Sequence, residues 1–207
     1  MASGALRRGV TAVLEHFGMY MWGFPPRMMA SVVAELGPAR ALGWFLWNIP
    51  RYQRTLSEFG PVRTHLICTT ISLLNGCRYC GHGHAYALEL AYLREHGRPF
   101  PLSLRAIQLL RGLPPGVIRH RMVSAARCAA LHADVRWVER AANLTLAEDR
   151  RPTDREDVRI SHLVRMFGML SSIGIAHNTE PDDAALSPLN KDVVLKARYA
   201  QVRAGSA

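Results

Sequence analysis

The sequence predicts an all-α fold. Apolar residues recur at helical spacing through almost the whole chain, Gly-Pro and Pro-Gly pairs punctuate it at helix-sized intervals, and alternating strand patterns are scarce. The 207 residues suffice for a domain with its own core, and 49% hydrophobic with 20% charged residues is a globular composition rather than a disordered one. One domain is expected over 1–207, with an N-terminal helical extension over 1–60, central helices over 61–97 and C-terminal helices over 98–207.

The elements follow in order. Ala5 to Phe17 carries the first helical pattern. Pro25 and Pro26 stand where a second helix can begin, with Met28, Met29, Val32, Val33 and Leu36 on its apolar face. Gly37-Pro38 ends that helix and starts another over Ala39 to Ile49, with Pro50 as a kink before Arg51 to Phe59. Gly60-Pro61 is the next boundary, and Val62 to Leu74 reads as a buried helix stopped by Asn75-Gly76. Cys77 or Cys80 opens a helix running to about His96. Gly97, Pro99 and Pro101 make a linker, and Ser103 caps a short helix ending at Gly112. Helices over Val117 to Ala133 and Val135 to Ala147 come next. Thr153 and Glu156 have capping-box spacing for a helix from Asp154 to about His177. After a loop with Pro181, Asp182 and Asp183, Asn190 to Val202 forms the last helix.

The formal charge of +10 would suit an anionic partner, but the basic residues (Arg7, Arg8, Arg51, Arg54, Arg119, Arg121, Arg150, Arg151, Arg155) are scattered and form no dense run. A solvated, arginine-rich surface is the reading, without nucleic acid as partner. Glu15 and His16 interrupt the apolar stretch that a secretory signal would need after Arg7 and Arg8. No window approaches the roughly 20 apolar residues of a membrane helix. Four cysteines are few for a disulfide scaffold, so reduced thiols and a cytoplasmic location are expected. A phosphate-binding glycine loop and a Gly-x-Ser-x-Gly nucleophile elbow are both missing, which argues against a nucleotide enzyme or a serine hydrolase.

The chemistry concentrates at Cys77-Arg78-Tyr79-Cys80-Gly81-His82-Gly83-His84. On a helix Cys77 and Cys80 are three apart and Cys80 and His84 four apart, so all three share a face, while His82 points elsewhere. If Asn75-Gly76 ends the preceding helix, the cysteines occupy a first turn, where free N–H groups and the helix dipole favour a thiolate. A thiolate attacks peroxides and disulfides, and a second sulfur one turn away can close an internal disulfide. Cys68 and Cys128, isolated on apolar helices, read as small core hydrophobes.

The stretch from Val62-Arg63-Thr64-His65-Leu66-Ile67 through Leu74-Asn75-Gly76-Cys77-Arg78-Tyr79-Cys80-Gly81-His82-Gly83-His84-Ala85 resembles the signature of the AhpD-like, carboxymuconolactone decarboxylase superfamily. The resemblance covers about thirty residues. It implies an AhpD-like helical bundle that forms a homo-oligomer, and an alkylhydroperoxidase-like oxidoreductase that reduces hydroperoxides or disulfides with an external thiol or dithiol reductant. Carried over, Cys80 is the peroxidatic nucleophile, Cys77 resolves it as a disulfide, and His84 belongs to a proton relay. Two positions depart from the family pattern. Its relay glutamate, twelve residues before the first cysteine, is replaced by His65, and its usual histidine just before the second cysteine by Tyr79. Histidine can serve as a base near neutral pH, yet it cannot balance a positive charge on His84 as a carboxylate would.

The dithiol reading needs no cofactor. Its rival is a non-catalytic zinc module in which Cys77, Cys80, His84 and His65 form a tetrahedral Cys₂His₂ set. The aromatic segments Met19 to Phe24 and Trp44 to Trp47 could touch a membrane surface, but core or subunit packing suits them better. Met166, Met169 and Leu170 are expected to pack inside, and His120, His132, His162 and His177 show no partner pattern.

Overall fold

The computed structural model describes residues 2–147 and 151–205. Arg150, among the scattered arginines, lies outside the described residues. Among the described residues ten α-helices follow one another: α1 (Ala2–Trp22), α2 (Met28–Leu36), α3 (Pro38–Phe59), α4 (Pro61–Leu74), α5 (Arg78–His96), α6 (Leu104–Gln108), α7 (Pro115–Cys128), α8 (Val135–Leu146), α9 (Arg155–Ala176) and α10 (Val193–Ala204). Short 3₁₀ turns at His132–Asp134 and Pro188–Lys191 join them, and no strand occurs among the described residues. The all-α expectation is met.

Helix α4 is the axis of the fold. Every residue from Thr64 to Leu73 is buried, so it presents no polar stripe and is wrapped on all sides. It packs most extensively on α5, and also on α3, α7, α8 and α9. One apolar cluster on this axis joins Met28, Val32, Phe45, Ile49 and Tyr52 to Cys77, Cys80, Phe167 and Leu170. A second gathers Leu66, Leu88, Tyr92, Phe100, Met122 and Leu195. Helices α1, α2 and α3 are therefore a wall of the core that covers Cys77 and Cys80.

Local chemistry accounts for most boundaries. Gly37 and Gly60 both adopt φ +78 between consecutive helices, each followed by a proline at the first helical position. The Ser103 hydroxyl accepts a hydrogen bond from the Ala106 N–H at 3.1 Å, as a cap should.

Helix α3 spans both expected segments through Pro50; proline removes the partner of the Leu46 carbonyl, but Pro50 and Leu46 both lie on the exposed side, where water can replace that bond. Four expectations need correction. First, α6 stops at Gln108 instead of Gly112, because the Leu110 and Arg111 N–H groups close on carbonyls three residues back. Second, α7 stops at Cys128 instead of Ala133. Ala130 turns left-handed at φ 60, and the Leu131 N–H closes back on the Ala126 carbonyl at 2.9 Å. Third, α9 is capped by Asp154, which accepts from the Asp157 N–H at 2.7 Å, while Asp157 accepts in turn from the Thr153 N–H at 3.0 Å. The reciprocal pair sits one residue later than Thr153 and Glu156. Glu156 bonds Arg140 instead. Fourth, Cys128 is exposed at the end of α7, whereas Cys68 is fully buried as expected.

The aromatic segments divide. Trp22 and Phe45 are buried, whereas Tyr20, Leu46 and Trp47 lie open. Met166 and Leu170 are buried and Met169 half-buried. His162 and His177 do have partners, Asn48 and Glu35, both at 3.0 Å. Neither is adjacent in sequence, so spacing could not reveal them. Among the described residues no helix is long and apolar enough to cross a membrane.

Candidate functional site

The α4–α5 junction builds the site. Gly76 takes φ +73 after the last turn of α4, and the Cys77 N–H closes on the Ser72 carbonyl at 3.1 Å. The chain then extends at Cys77 (φ −78, ψ 114), which becomes the cap of α5. Its Sγ accepts a hydrogen bond from the Cys80 N–H at 3.3 Å. A sulfur can stand where Ser or Asp usually caps because the free N–H groups reward its anionic form.

Both thiols are free and buried. The Cys80 thiol donates toward Cys77, and with the backbone N–H groups of Cys80 and Tyr79 it draws the Cys77 thiol down to about 7 against the opposing effect of burial. Cys80 moves the other way, raised by the same bond, by burial and by the negative charge of Cys77. The shared bond thus favours ionisation at Cys77 over ionisation at Cys80. The buried Ser171 hydroxyl of α9 favours the ionised form of both thiols without closing a well-formed hydrogen bond to either. Gly174, one turn further along α9, leaves room for the cap: a Cβ there would stand 3.4 Å from Cys77 Sγ and 2.7 Å from Met28 Cε.

Cys80 and His84 line a common cavity of about 40 Å³ with Trp22, Met28, Trp44, Tyr52, Tyr79, Met166, Phe167 and Leu186. That volume has room for a water or a small ligand group, but its walls are almost wholly apolar. Cys77 is not among the lining residues; as cap it touches Cys80 from the helix end.

His65 of α4 and His84 of α5 meet through their Nδ1 atoms at 3.3 Å. Burial lowers His65 to about 3, and burial together with His65 holds His84 well below the ordinary histidine value. Both rings are therefore neutral, with one Nδ1 donating and the other accepting. The Nε2 atom of each is buried without a partner. Phe167 packs edge-on against His84, with ring centroids 4.5 Å apart. The neighbour of His84 is thus a neutral ring rather than a carboxylate that would keep it protonated.

Tyr79 points away from the sulfurs and donates its hydroxyl to Asp182 at 2.6 Å. Asp182 pairs with Arg27 and Glu180 with Arg78, so the 180–183 loop is latched over the start of α5. His82 leaves the site, as its spacing implied, and lines a separate cleft with Arg105 and Asp183. Among the described residues no group of three or more His, Cys, Asp or Glu side chains is placed to hold a metal ion.

Sequence spacing brought Cys77, Cys80 and His84 together and the resemblance added His65, but neither found Tyr52, Phe167, Ser171 and Gly174, which arrive from α3 and α9. Their only signal was membership in long apolar helices. Comparison with family models, curated proteins and solved structures gave no match.

Proposed function

We propose that the protein is a thiol-dependent peroxidase or disulfide oxidoreductase working through the Cys77/Cys80 dithiol. The observation that carries this reading is the pair of free thiols at the start of α5, with the Cys77 sulfur capping the helix and accepting from the Cys80 N–H, and Cys80 lining a small apolar cavity.

The chemistry balances as follows. Cys80 passes its proton to the Cys77 thiolate across their hydrogen bond, which leaves the negative charge on the sulfur that faces the cavity. The Cys80 thiolate attacks the distal oxygen of a hydroperoxide. The O–O bond breaks, Cys80 becomes a sulfenic acid, and the alkoxide takes a proton from Cys77 to leave as an alcohol. The regenerated Cys77 thiolate then displaces hydroxide from the Cys80 sulfenic acid, forming the disulfide, and one further proton completes a water molecule. In this reading the neutral His84–His65 pair relays that proton by exchanging tautomers, which their Nδ1 contact supports. An external dithiol returns two electrons and two protons by thiol–disulfide exchange.

The test is a thiol count on purified protein before and after one equivalent of cumene hydroperoxide, with metal content measured on the same sample. Loss of two thiols with a Cys77–Cys80 link by mass spectrometry supports the mechanism, and Cys80→Ser should abolish turnover. Unreactive thiols with about one zinc per chain, lost on changing His65, would replace the dithiol reading by the metal-site reading.

A further inference from the structure

A second cleft, of about 470 Å³, opens between α3 and α9. Helical spacing generates it: Trp44, Trp47, Asn48 and Arg51 recur on one face of α3, and Val158, His162, Arg165, Met166 and Met169 on one face of α9. Trp44 and Met166 line this cleft and also the cavity that holds Cys80 and His84. The two spaces are thus separated by side chains they have in common, one of them a flexible methionine.

The cleft has a polar end of one sign. Arg51 stacks over the Trp47 ring at 3.5 Å from its centroid and donates to the Trp47 carbonyl at 2.6 Å. Arg165 is exposed, and among the described residues neither arginine is paired with a carboxylate. Asn48 donates its amide N–H to the Trp44 carbonyl at 2.8 Å, which turns its oxygen toward His162 Nε2 at 3.0 Å. That fixes the proton on Nε2 and leaves the buried Nδ1 without a partner. Opposite these groups the walls are indole, methionine and valine.

We infer that this cleft is a subsite for the carboxylate of an amphipathic organic acid, whose apolar portion leads past Trp44 and Met166 to Cys80. Two guanidinium groups with no acid of their own suit a planar carboxylate, which they can hold by charge-assisted hydrogen bonds. The indole and thioether walls suit an alkyl or aryl body. The inference deepens the dithiol reading by naming its substrate class, a carboxylate-bearing organic hydroperoxide. The binding itself needs no redox step.

Octanoate is the probe, followed by tryptophan fluorescence, since Trp44 and Trp47 line the cleft. Octan-1-ol is the uncharged comparator. Octanoate should bind saturably and at least about tenfold more tightly than octanol, and Arg51→Gln combined with Arg165→Gln should remove that margin, a change of ~1.4 kcal/mol. Raising sodium chloride from 0.05 to 0.5 M should weaken octanoate alone, a readout on the unaltered protein that does not depend on the variant folding. Equal binding of the two probes, indifference to salt, or no binding of octanoate would overturn the subsite. Binding is also measured on Cys80→Ser, which separates the two ideas. Octanoate binding without thiol oxidation by any peroxide would remove the dithiol reading alone. Oxidation by cumene hydroperoxide without octanoate binding would remove the subsite alone.

Discussion

Acid should destabilise this protein well before its carboxylates titrate, and the His65–His84 pair sets the window. An unfolded histidine takes up a proton near 6.5, whereas folded His65 does so only near 3 and folded His84 stays well below the ordinary value. The unfolded chain therefore binds more protons below 6.5, so stability is present above that pH and falls as pH drops toward the folded values. At pH 5 the gap for His65 is about 1.5 pH units, or ~2 kcal/mol, and His84 adds to the same slope. That is a large fraction of the ~5–15 kcal/mol by which a domain is normally stable. Urea unfolding at pH 7, 6 and 5 measures it. The Asp154 and Asp157 carboxyls are held below their ordinary value, so their contribution disappears only at still lower pH. A His65→Gln, His84→Gln variant, whose amides can replace the paired ring nitrogens, should be less stable at pH 7 but much flatter between pH 7 and 5. Stability in the unaltered protein that does not fall between pH 7 and 5, or an equally steep fall in the double variant, would refute neutral, buried imidazoles.

Further outcomes follow from single contacts. The ultraviolet absorbance of the Cys77 thiolate should titrate near 7, and Cys80→Ala, which removes the donating thiol, should shift that titration upward; an unchanged profile would remove Cys80 as its cause. Gly83→Ala should cost about 1–3 kcal/mol by urea unfolding, because its Cβ would stand 2.5 Å from Leu186 Cγ, in the loop that lines the cavity. Arg203→Ala should cost about 3–5 kcal/mol, since it leaves the fully buried Glu89 carboxylate without the guanidinium that reaches it at 2.6 Å and 3.2 Å. Exchanging both partners for apolar residues (Glu89→Leu with Arg203→Met) should recover most of that loss in thermal melts, and failure to recover would mean that packing by the Arg203 stem dominates.

The fold was legible where a boundary has a chemical cause inside the window that is read. Gly37, Gly60 and Gly76 mark turns that only a left-handed backbone makes, and Ser103 marks a cap, so these ends fall where expected. The ends that were misplaced depend on longer reach. Ala130 adopts a left-handed conformation usually left to glycine because Leu131 must close on Ala126, and nothing in the identity of an alanine announces it. Pro50 read as a kink because proline removes a hydrogen bond. Whether that loss matters depends on which side of α3 meets water, which only the packing of α1 and α9 decides.

The site shows the same division more sharply. Periodicity places Cys80 and His84 on one face because both are inside α5, and the cavity they line bears that out. Cys77 is the cap of the same helix, with extended rather than helical dihedrals, and its sulfur accepts from the Cys80 N–H. Cys77 thus has the N–H groups, whereas Cys80 lines the cavity. Under the dithiol proposal, the proton the two sulfurs share is what lets charge reach the cavity. For that reason the effects of Cys77→Ser and Cys80→Ser should not be independent, since each variant removes the partner that sets the protonation of the other.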